Sequence, residues 1–529
     1  EIEKQSNQIR NSNSIFFPDM NDSDLIEIVQ HLKTNKAMGL DQIRARDIKC
    51  HINILKPALL QLYNRIFSSC HIPKNLKTSI VRPIYKKGEK NKFLNYRPVC
   101  ILPVINYIME KYINKVLRNY ISRYNLLTPT QYGFREHMGT NDLLEDFFDY
   151  VNENMDSSKY VLALFIDFSR AFETINHDIL LDRLHSIGIR GKMHDLFQNY
   201  LNDRYQIVRL GLKYSREIKV KQGVPQGTVL GPLLFNLYVN EIAQVKLKSE
   251  LFQFADDTVI VYAHKNYEVA VKTIQEDIYN LIEWYQKNQI IVNVPKTQVL
   301  CFRDPRKQIL TELPIKMHRQ NCNNCSCIPL KYAENVKYLG MHIDKHIKWD
   351  IHVEHICKKL RILMAHMYHI QNLVPRSILR MIYNSLGKST IQYGITVYGH
   401  CAKNLQLKIE AIQKKIVRNM GYLSEETDLQ NYMHKELGML RFRDQMKYDI
   451  IIKHFFNDKH RVENAKERTL RPNRKFIEPF IYTKYGKATR NYYVPKIFNE
   501  LPDDLLKVKS QRIKKLSKKW VIEQSKKNP

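Results

Sequence analysis

The rhythm of apolar and polar residues changes several times along the chain, and each change marks a structural element. Residues 21–35 (DSDLIEIVQHLKTNK) place apolar side chains at helical spacing behind Asp22 or Ser23 as caps, and 54–70 and 103–123 read as further helices. Between the latter two, SIVRPIYKKGEKNKFLNYRPV predicts two strands joined by a basic turn at Lys86-Lys87-Gly88. YVLALFID (160–167) is a short apolar run rich in β-formers that stops abruptly at a carboxylate, and its length predicts a buried strand. A helix over 169–188 is expected next, then hairpin-like alternation over 204–222, then a Gly-rich loop running into a helix at 230–243. In LFQFADDTVIVYA (251–263) apolar strands flank a turn that carries Asp256 and Asp257. A helix at about 267–288, a strand near 297–303 and another over 336–344 follow. From about residue 350 onward the pattern is helical and basic, and the last 70 residues are very basic and less periodic.

Composition narrows the class. A length of 529 residues suggests three or four units of ~150 residues. With 44% hydrophobic residues and 17 glycines and 19 prolines, the chain is globular rather than low-complexity. Lys and Arg number 84 against 53 Asp and Glu, a formal charge of +31 that calls for a polyanionic partner. No stretch approaches the ~18 uninterrupted apolar residues a membrane span needs, so nucleic acid is the expected partner and a membrane is not. Nine scattered cysteines argue for a reducing compartment rather than a disulfide framework. The opening Glu1-Ile2-Glu3-Lys4 lacks an initiator Met and a secretory signal, which suggests a segment of a longer reading frame.

Three aspartates stand where apolar strands end: Asp167 and, 89 residues later, Asp256 and Asp257. A carboxylate at the end of a buried strand needs a partner or a cation. Carboxylates from two neighbouring strands can hold two Mg²⁺ ions ~3.5–4 Å apart, whereas Asp-Asp-Thr is equally good turn composition. The flanking segments decide. LFIDFSRAFETINH, GVPQGTVLGPLLFNLYVNEI and FADD, taken with KAMGLDQI (36–43), YRPVCILPVINYIMEK (96–111), LTPTQYGFREHMGTND (128–142), NVPKT (293–297) and KYLGMHID (337–344), resemble the reverse transcriptase of non-LTR (LINE-type, jockey-like) retrotransposons. TIQYGITVYG (390–399) and IEAIQKKIVR (409–418) match the family's C-terminal part, so the resemblance covers roughly residues 20–505. Departures are Met38-Gly39-Leu40-Asp41-Gln42 where Pro-Gly-Pro-Asp-Gly is usual, Phe254 where many reverse transcriptases have Tyr, and His137-Met138. None touches the three aspartates.

The resemblance implies an α+β right-hand polymerase: an N-terminal extension and fingers over 1–159, a palm of antiparallel sheet over 160–345 with part of the fingers inserted at about 204–222, a helical thumb and connection over 346–460, and a basic C-terminal region over 461–529. It implies RNA-directed DNA synthesis at a nicked target, with template RNA, target or primer DNA and dNTPs as partners and an endonuclease upstream. Action in the nucleus, after a cytoplasmic ribonucleoprotein stage, is the corresponding expectation. Asp167, Asp256 and Asp257 become the ligands of two Mg²⁺ ions, with Mn²⁺ able to substitute and the Phe168 carbonyl as a further ligand. Phe172 takes the place beneath the sugar, where a ring clashes with a 2′-hydroxyl; this, and the absence of Gly-Asp-Asp, disfavours an RNA-templated RNA polymerase. Pro225, Gln226 and Gly227 line the nucleotide, while Lys86 and Arg97 reach the triphosphate, Arg being suited to bidentate contact. Lys296 is either the acid that protonates pyrophosphate or a structural lysine at a strand start. Tyr338, Leu339 and Gly340 correspond to the primer grip. Cys322, Cys325 and Cys327 with His318 match no common structural zinc spacing.

Overall fold

The apolar run at 160–167 becomes the middle strand of a sheet. The computed structural model describes residues 11–319, 327–421, 423–424, 428–456, 476–508 and 512–527, a mixed α/β architecture. Tyr160–Ile166 is the middle strand of a five-stranded sheet, antiparallel to Gln298–Phe302 on one side and to Asp257–His264 on the other. Glu250–Phe254 forms one edge beside Asp257–His264, and Lys331–Tyr332 forms the other, parallel to Gln298–Phe302. Side chains alternate across a strand, and here both faces are covered. Leu162, Leu164 and Ile166 pack on the helix Tyr267–Lys287 through Ile274, Ile278 and Leu281. Val161, Ala163 and Phe165 pack on the helix Thr140–Asp156 through Leu144, Phe147 and Phe148. Burial on both faces explains a continuous apolar run rather than an alternating one.

A second sheet is built from segments far apart in sequence. Ser79–Tyr85 pairs antiparallel with Tyr96–Ile101, as the two-strand pattern predicts, and parallel with Arg204–Leu210. Arg204–Leu210 in turn pairs antiparallel with Lys213–Tyr214 and Ile218–Val220. The helices Asp22–Gln30, Ile52–Ser69, Val104–Arg123, His177–Ser186, Lys192–Leu201 and Gly231–Val239 share one apolar core nearby.

Beyond the sheets the chain is helical, with Asp350–Ile370, Lys403–Gly421, Phe442–His454, Arg490–Asn499 and Ile513–Lys527 among the elements. The core of the central sheet runs on into the first three of these helices without a break, through Tyr338, Val353, Tyr398, Ile409 and Phe442.

Three local expectations need correction. The helix expected over 169–188 begins only at His177, capped by Asn176, whose side chain accepts from Ile179 N–H. Its expected first half is drawn into tertiary bonds: Ser169 N–H donates to Ile291 O, Val224 N–H to Phe172 O and Gly223 N–H to Ile175 O. The single strand expected over 336–344 is a hairpin, Asn335–Tyr338 against Met341–Asp344. Its two-residue turn, Leu339-Gly340, has positive φ at both positions, the geometry a tight hairpin prefers. The first helix is capped by Asn21 rather than by Asp22 or Ser23. Cys322 and Cys325 lie outside the described residues.

Candidate active site

Strand register brings the three aspartates together. Ile166 pairs with Thr258, so Asp167 leaves one strand beside the point where Asp257 enters its neighbour. Asp256 occupies the turn between Glu250–Phe254 and Asp257–His264. Asp256 and Asp257 keep solvent-exposed surface yet are crowded by protein. Burial, then the charges of Asp256 and Asp167, push the Asp257 carboxyl up to about 6. Burial raises Asp256 as well, with a smaller push from Asp167, against the opposing charges of Arg97 and Lys86. The two cations of the 79–101 hairpin therefore act on the same carboxylate, Arg97 more strongly than Lys86. Lys86 is fixed at the hairpin end, its N–H donating to Asn95 O at 2.8 Å.

Asp167 is held by its backbone. Its N–H donates to Thr297 Oγ1 at 3.3 Å and its carbonyl accepts from Asn293 N–H at 2.7 Å. Its Oδ2 is shielded from solvent and accepts no hydrogen bond, with Lys296 Nζ 3.6 Å away. Phe168 forms an isolated bridge with Val292, and the flanking bonds on Asp167 and Ser169 leave its own carbonyl outside that bridge. Among the described residues, no three His, Cys, Asp or Glu side chains already form a coordination shell. The donor chemistry nonetheless fits a hard divalent cation. It offers carboxylate oxygens alone, one of them shielded and unbonded, and Asp257 meets only burial and negative charge.

The Gly-rich loop faces the same region. Gly223 has φ 86°, and a Cβ there would lie 2.6 Å from Glu173 O, so only glycine fits. Gln226 Nε2 donates to Glu173 Oε1 at 3.3 Å, and its carbonyl accepts from Cys100 N–H at 2.9 Å, which ties the loop to the 79–101 hairpin. Pro225 O accepts from Thr228 Oγ1 at 3.0 Å, and Gly227 is exposed with φ 95°. Phe172 stacks on Phe235 with centroids 4.5 Å apart and meets Phe134 edge-on at 6.3 Å. The ring is thus braced from two sides while staying partly exposed.

One expected contact is corrected. Tyr338 is 4% exposed, its ring 5.1 Å from Phe165 and 5.8 Å from Phe147, so its side chain belongs to the core and cannot touch a bound strand. Only the turn Leu339-Gly340 is left to do so, and Tyr393 braces it by donating its hydroxyl to Leu339 O.

Two supporting side chains escaped the sequence-based assignment. Glu110 is buried, and its carboxylate accepts from Asn106 Nδ2, Tyr200 Oη and the N–H groups of Val229 and Leu230. It thereby holds the backbone that enters the helix leaving the Gly-rich loop and sets a negative charge near its N-terminus, where one is favoured. Gln131 holds the backbone just before Asp256. Both sit in the family-like segments 96–111 and 128–142, but nothing in their spacing marks them as contacts of the site.

Residues 84–343 match the family model described as reverse transcriptase (RNA-dependent DNA polymerase). The chain is 27% identical over 477 residues to a probable RNA-directed DNA polymerase from transposon X-element of Drosophila melanogaster, covering 85% of this chain and 49% of that protein. It is 25% identical over 413 residues to the RNA-directed DNA polymerase from mobile element jockey of the same species, covering 74% of this chain and 43% of that protein. The chain thus spans about half the length of such relatives or less. Among solved structures, apo telomerase from Candida Tropicalis aligns over 74% of this chain and 67% of its own, at 10% identity and a TM-score of 0.39. The chain carries a reverse transcriptase domain and is a homologue of the RNA-directed DNA polymerases of non-LTR retrotransposons.

Proposed function

We propose that this chain copies RNA into DNA from a primer 3′-hydroxyl, and that in its element the primer is the nicked target DNA. The observation that carries this is the register that sets Asp167 beside Asp257, with Asp256 on the adjoining turn and Arg97 acting on it. The central sheet with its two covering helices serves as the palm, the 79–101 hairpin with Arg204–Leu210 as the fingers, and the helices after Asp350 as the thumb. The strongly basic remainder at the C-terminus extends the surface along which a phosphate backbone can lie.

Asp167, Asp256 and Asp257, with the Phe168 carbonyl, would hold two Mg²⁺ ions, which when bound acidify the attacking hydroxyl and neutralise the leaving pyrophosphate. The protein's own groups do the rest. Arg97 and Lys86 neutralise the triphosphate and orient it over the carboxylates. Gln226 and the exposed backbone at Gly227 form the wall against which the nucleotide rests. Phe172, braced by Phe235 and Phe134, lies under the sugar and leaves no room for a 2′-hydroxyl. Lys296, its ammonium beside Asp167 and largely exposed, is placed to hand a proton to pyrophosphate. The Leu339-Gly340 turn holds the primer strand. A formal charge of +31 makes binding of template and primer steeply salt-dependent through counterion release. Such a protein would assemble with its RNA in the cytoplasm and act in the nucleus.

Primer extension on poly(rA)/oligo(dT) with Mg²⁺ tests this. Extension with dTTP but not UTP, lost in Asp256→Ala, is expected; Phe172→Ala is expected to admit UTP. Incorporation of UTP by the parent chain, or duplex binding by a folded chain that never extends the primer, would refute the proposal.

A further inference from the structure

Ala255 immediately precedes Asp256, and its backbone stands at φ 55°, in the left-handed region that alanine seldom occupies. Such a conformation persists only where its surroundings over-determine it. The side chain of Gln131, 1% exposed, supplies the constraint. Its Oε1 accepts the N–H of Ala255 at 2.8 Å and that of Gly133 at 2.8 Å, and its Nε2 donates to Ala255 O at 3.2 Å. One amide therefore engages both polar backbone groups of a single residue. Its own backbone is anchored on the edge strand, where Tyr132 N–H donates to Gln253 O at 2.8 Å and Gln253 N–H donates to Thr130 O at 2.9 Å. Gly133 makes the approach possible, since a Cβ there would lie 2.3 Å from Ala255 N. On the far side, fully buried Asn236 donates from Nδ2 to Gly133 O at 2.7 Å. Asn236 belongs to the helix Gly231–Val239, which begins just after the Gly-rich loop.

We propose that Gln131 is a positioning residue: its amide sets the angle at which the turn presents Asp256 and, through Gly133 and Asn236, links that turn to the loop Gly223–Gly227. This rests on the reading of the site given above. The amide is required because the position needs an acceptor for two N–H groups and a donor for one carbonyl at the same time. A glutamate keeps the acceptor arm but sets a second oxygen against Ala255 O. A methionine keeps the length and loses both arms, while the fold around it retains its backbone pairing.

The test compares the full chain with Gln131→Glu, Gln131→Met and, as a neighbouring control, Thr130→Val, which removes only the hydroxyl that donates to Gln253 Oε1 at 3.3 Å. Two readouts are taken: kcat and KM for dTTP on poly(rA)/oligo(dT), and the midpoint of thermal unfolding with and without Mn²⁺. Gln131→Met is expected to lose about 10²-fold in kcat, as a misplaced reacting group does. Its KM should stay within about threefold, a loss confined to the transition state. Its Mn²⁺-dependent rise in unfolding midpoint should shrink. Gln131→Glu should fall between Gln131→Met and the parent, and Thr130→Val should match the parent. An unchanged kcat in Gln131→Met would overturn the proposal. So would a kcat lowered only in proportion to the folded fraction, with the Mn²⁺ response intact. Should Gln131→Met fail to fold, Gln131→Glu decides by the same criteria. If the parent itself extends no primer, the functional reading fails, and the Mn²⁺ response of the variants still decides the role of Gln131.

Discussion

Two acidic clusters on this basic chain are built in opposite ways. The helix Thr140–Asp156 carries Asp142, Glu145, Asp146, Asp149, Glu153 and Asp156, and each of them meets a partner from the C-terminal half. Lys453 lies 2.8 Å from Asp142 and 3.0 Å from Glu145, and Arg490 bridges Asp146 and Asp149. Asn491 donates to Glu153 and Thr483 to Asp156. A few residues away the same helix lends its apolar face to the central sheet, so it works as the joint between the sheet and the basic C-terminal segments. The aspartates at 167, 256 and 257 are treated differently. They are crowded against each other and one oxygen of Asp167 accepts no hydrogen bond; burial pushes Asp149 and Asp257 up alike, to about 6, but Arg490 pulls Asp149 back while Asp257 meets only further negative charge. Acid tied one to one to C-terminal partners joins elements together, whereas acids gathered at strand ends, with an oxygen of Asp167 free of hydrogen bonds, are the ones proposed above to take a cation.

That contrast can be broken by mutation. The largest expected effect is catalytic: Asp256→Ala should abolish primer extension by at least about 10³-fold with little change in the unfolding midpoint, because burial of that carboxylate offsets the pull of Arg97 and Lys86. Arg490→Ala should do the reverse. It strands Asp146 and largely buried Asp149, at about 3 kcal/mol in unfolding stability, while extension per folded molecule at low temperature stays near the parent. Lys453→Met should behave likewise on a smaller scale, about 1–2 kcal/mol by denaturant titration, since buried Glu145 keeps the hydroxyl of Thr396. The smallest effect is one of pH. Folded Asp257 holds its proton up to about 6, higher than an unfolded aspartate does, so the cation-free protein takes up a proton on folding between those limits. Its stability should therefore fall as pH rises from about 4 to about 6, and Asp257→Asn should flatten that fall. Solvent screening at these exposed side chains keeps the gain from Asp257→Asn near pH 7 below about 1 kcal/mol.

Much of this was legible in the residues, for reasons that differ from element to element. The strand Tyr160–Ile166 is visible because burial on both faces leaves an unbroken apolar run, and the aspartates are visible because they end such runs. The hairpin of Ser79–Tyr85 and Tyr96–Ile101 is visible because its turn is local. Arg204–Leu210 shows as a strand by its alternation, but its parallel pairing with Ser79–Tyr85 does not show, since pairing across so much chain leaves no local trace. The false helix at 169–176 shows the same limit from the other side: its spacing is helical, but its backbone groups are claimed by Ile291, Val224 and Gly223 from elsewhere. Tyr338 looked like a contact for a bound strand, yet a tyrosine at an inward position of a short hairpin is core. Glu110 and Gln131 were invisible as site residues because what defines them is the backbone they hold, and spacing does not record that.

The central claim is that Asp167, Asp256 and Asp257 form a cation site and the acidic helix does not. The direct measurement is a Mn²⁺ titration of the full-length chain followed by electron paramagnetic resonance, comparing the parent with Asp256→Ala and with Asp146→Asn. The account predicts saturable Mn²⁺ binding by the parent, retained in Asp146→Asn and lost in Asp256→Ala. Equal binding by the parent and Asp256→Ala would contradict it.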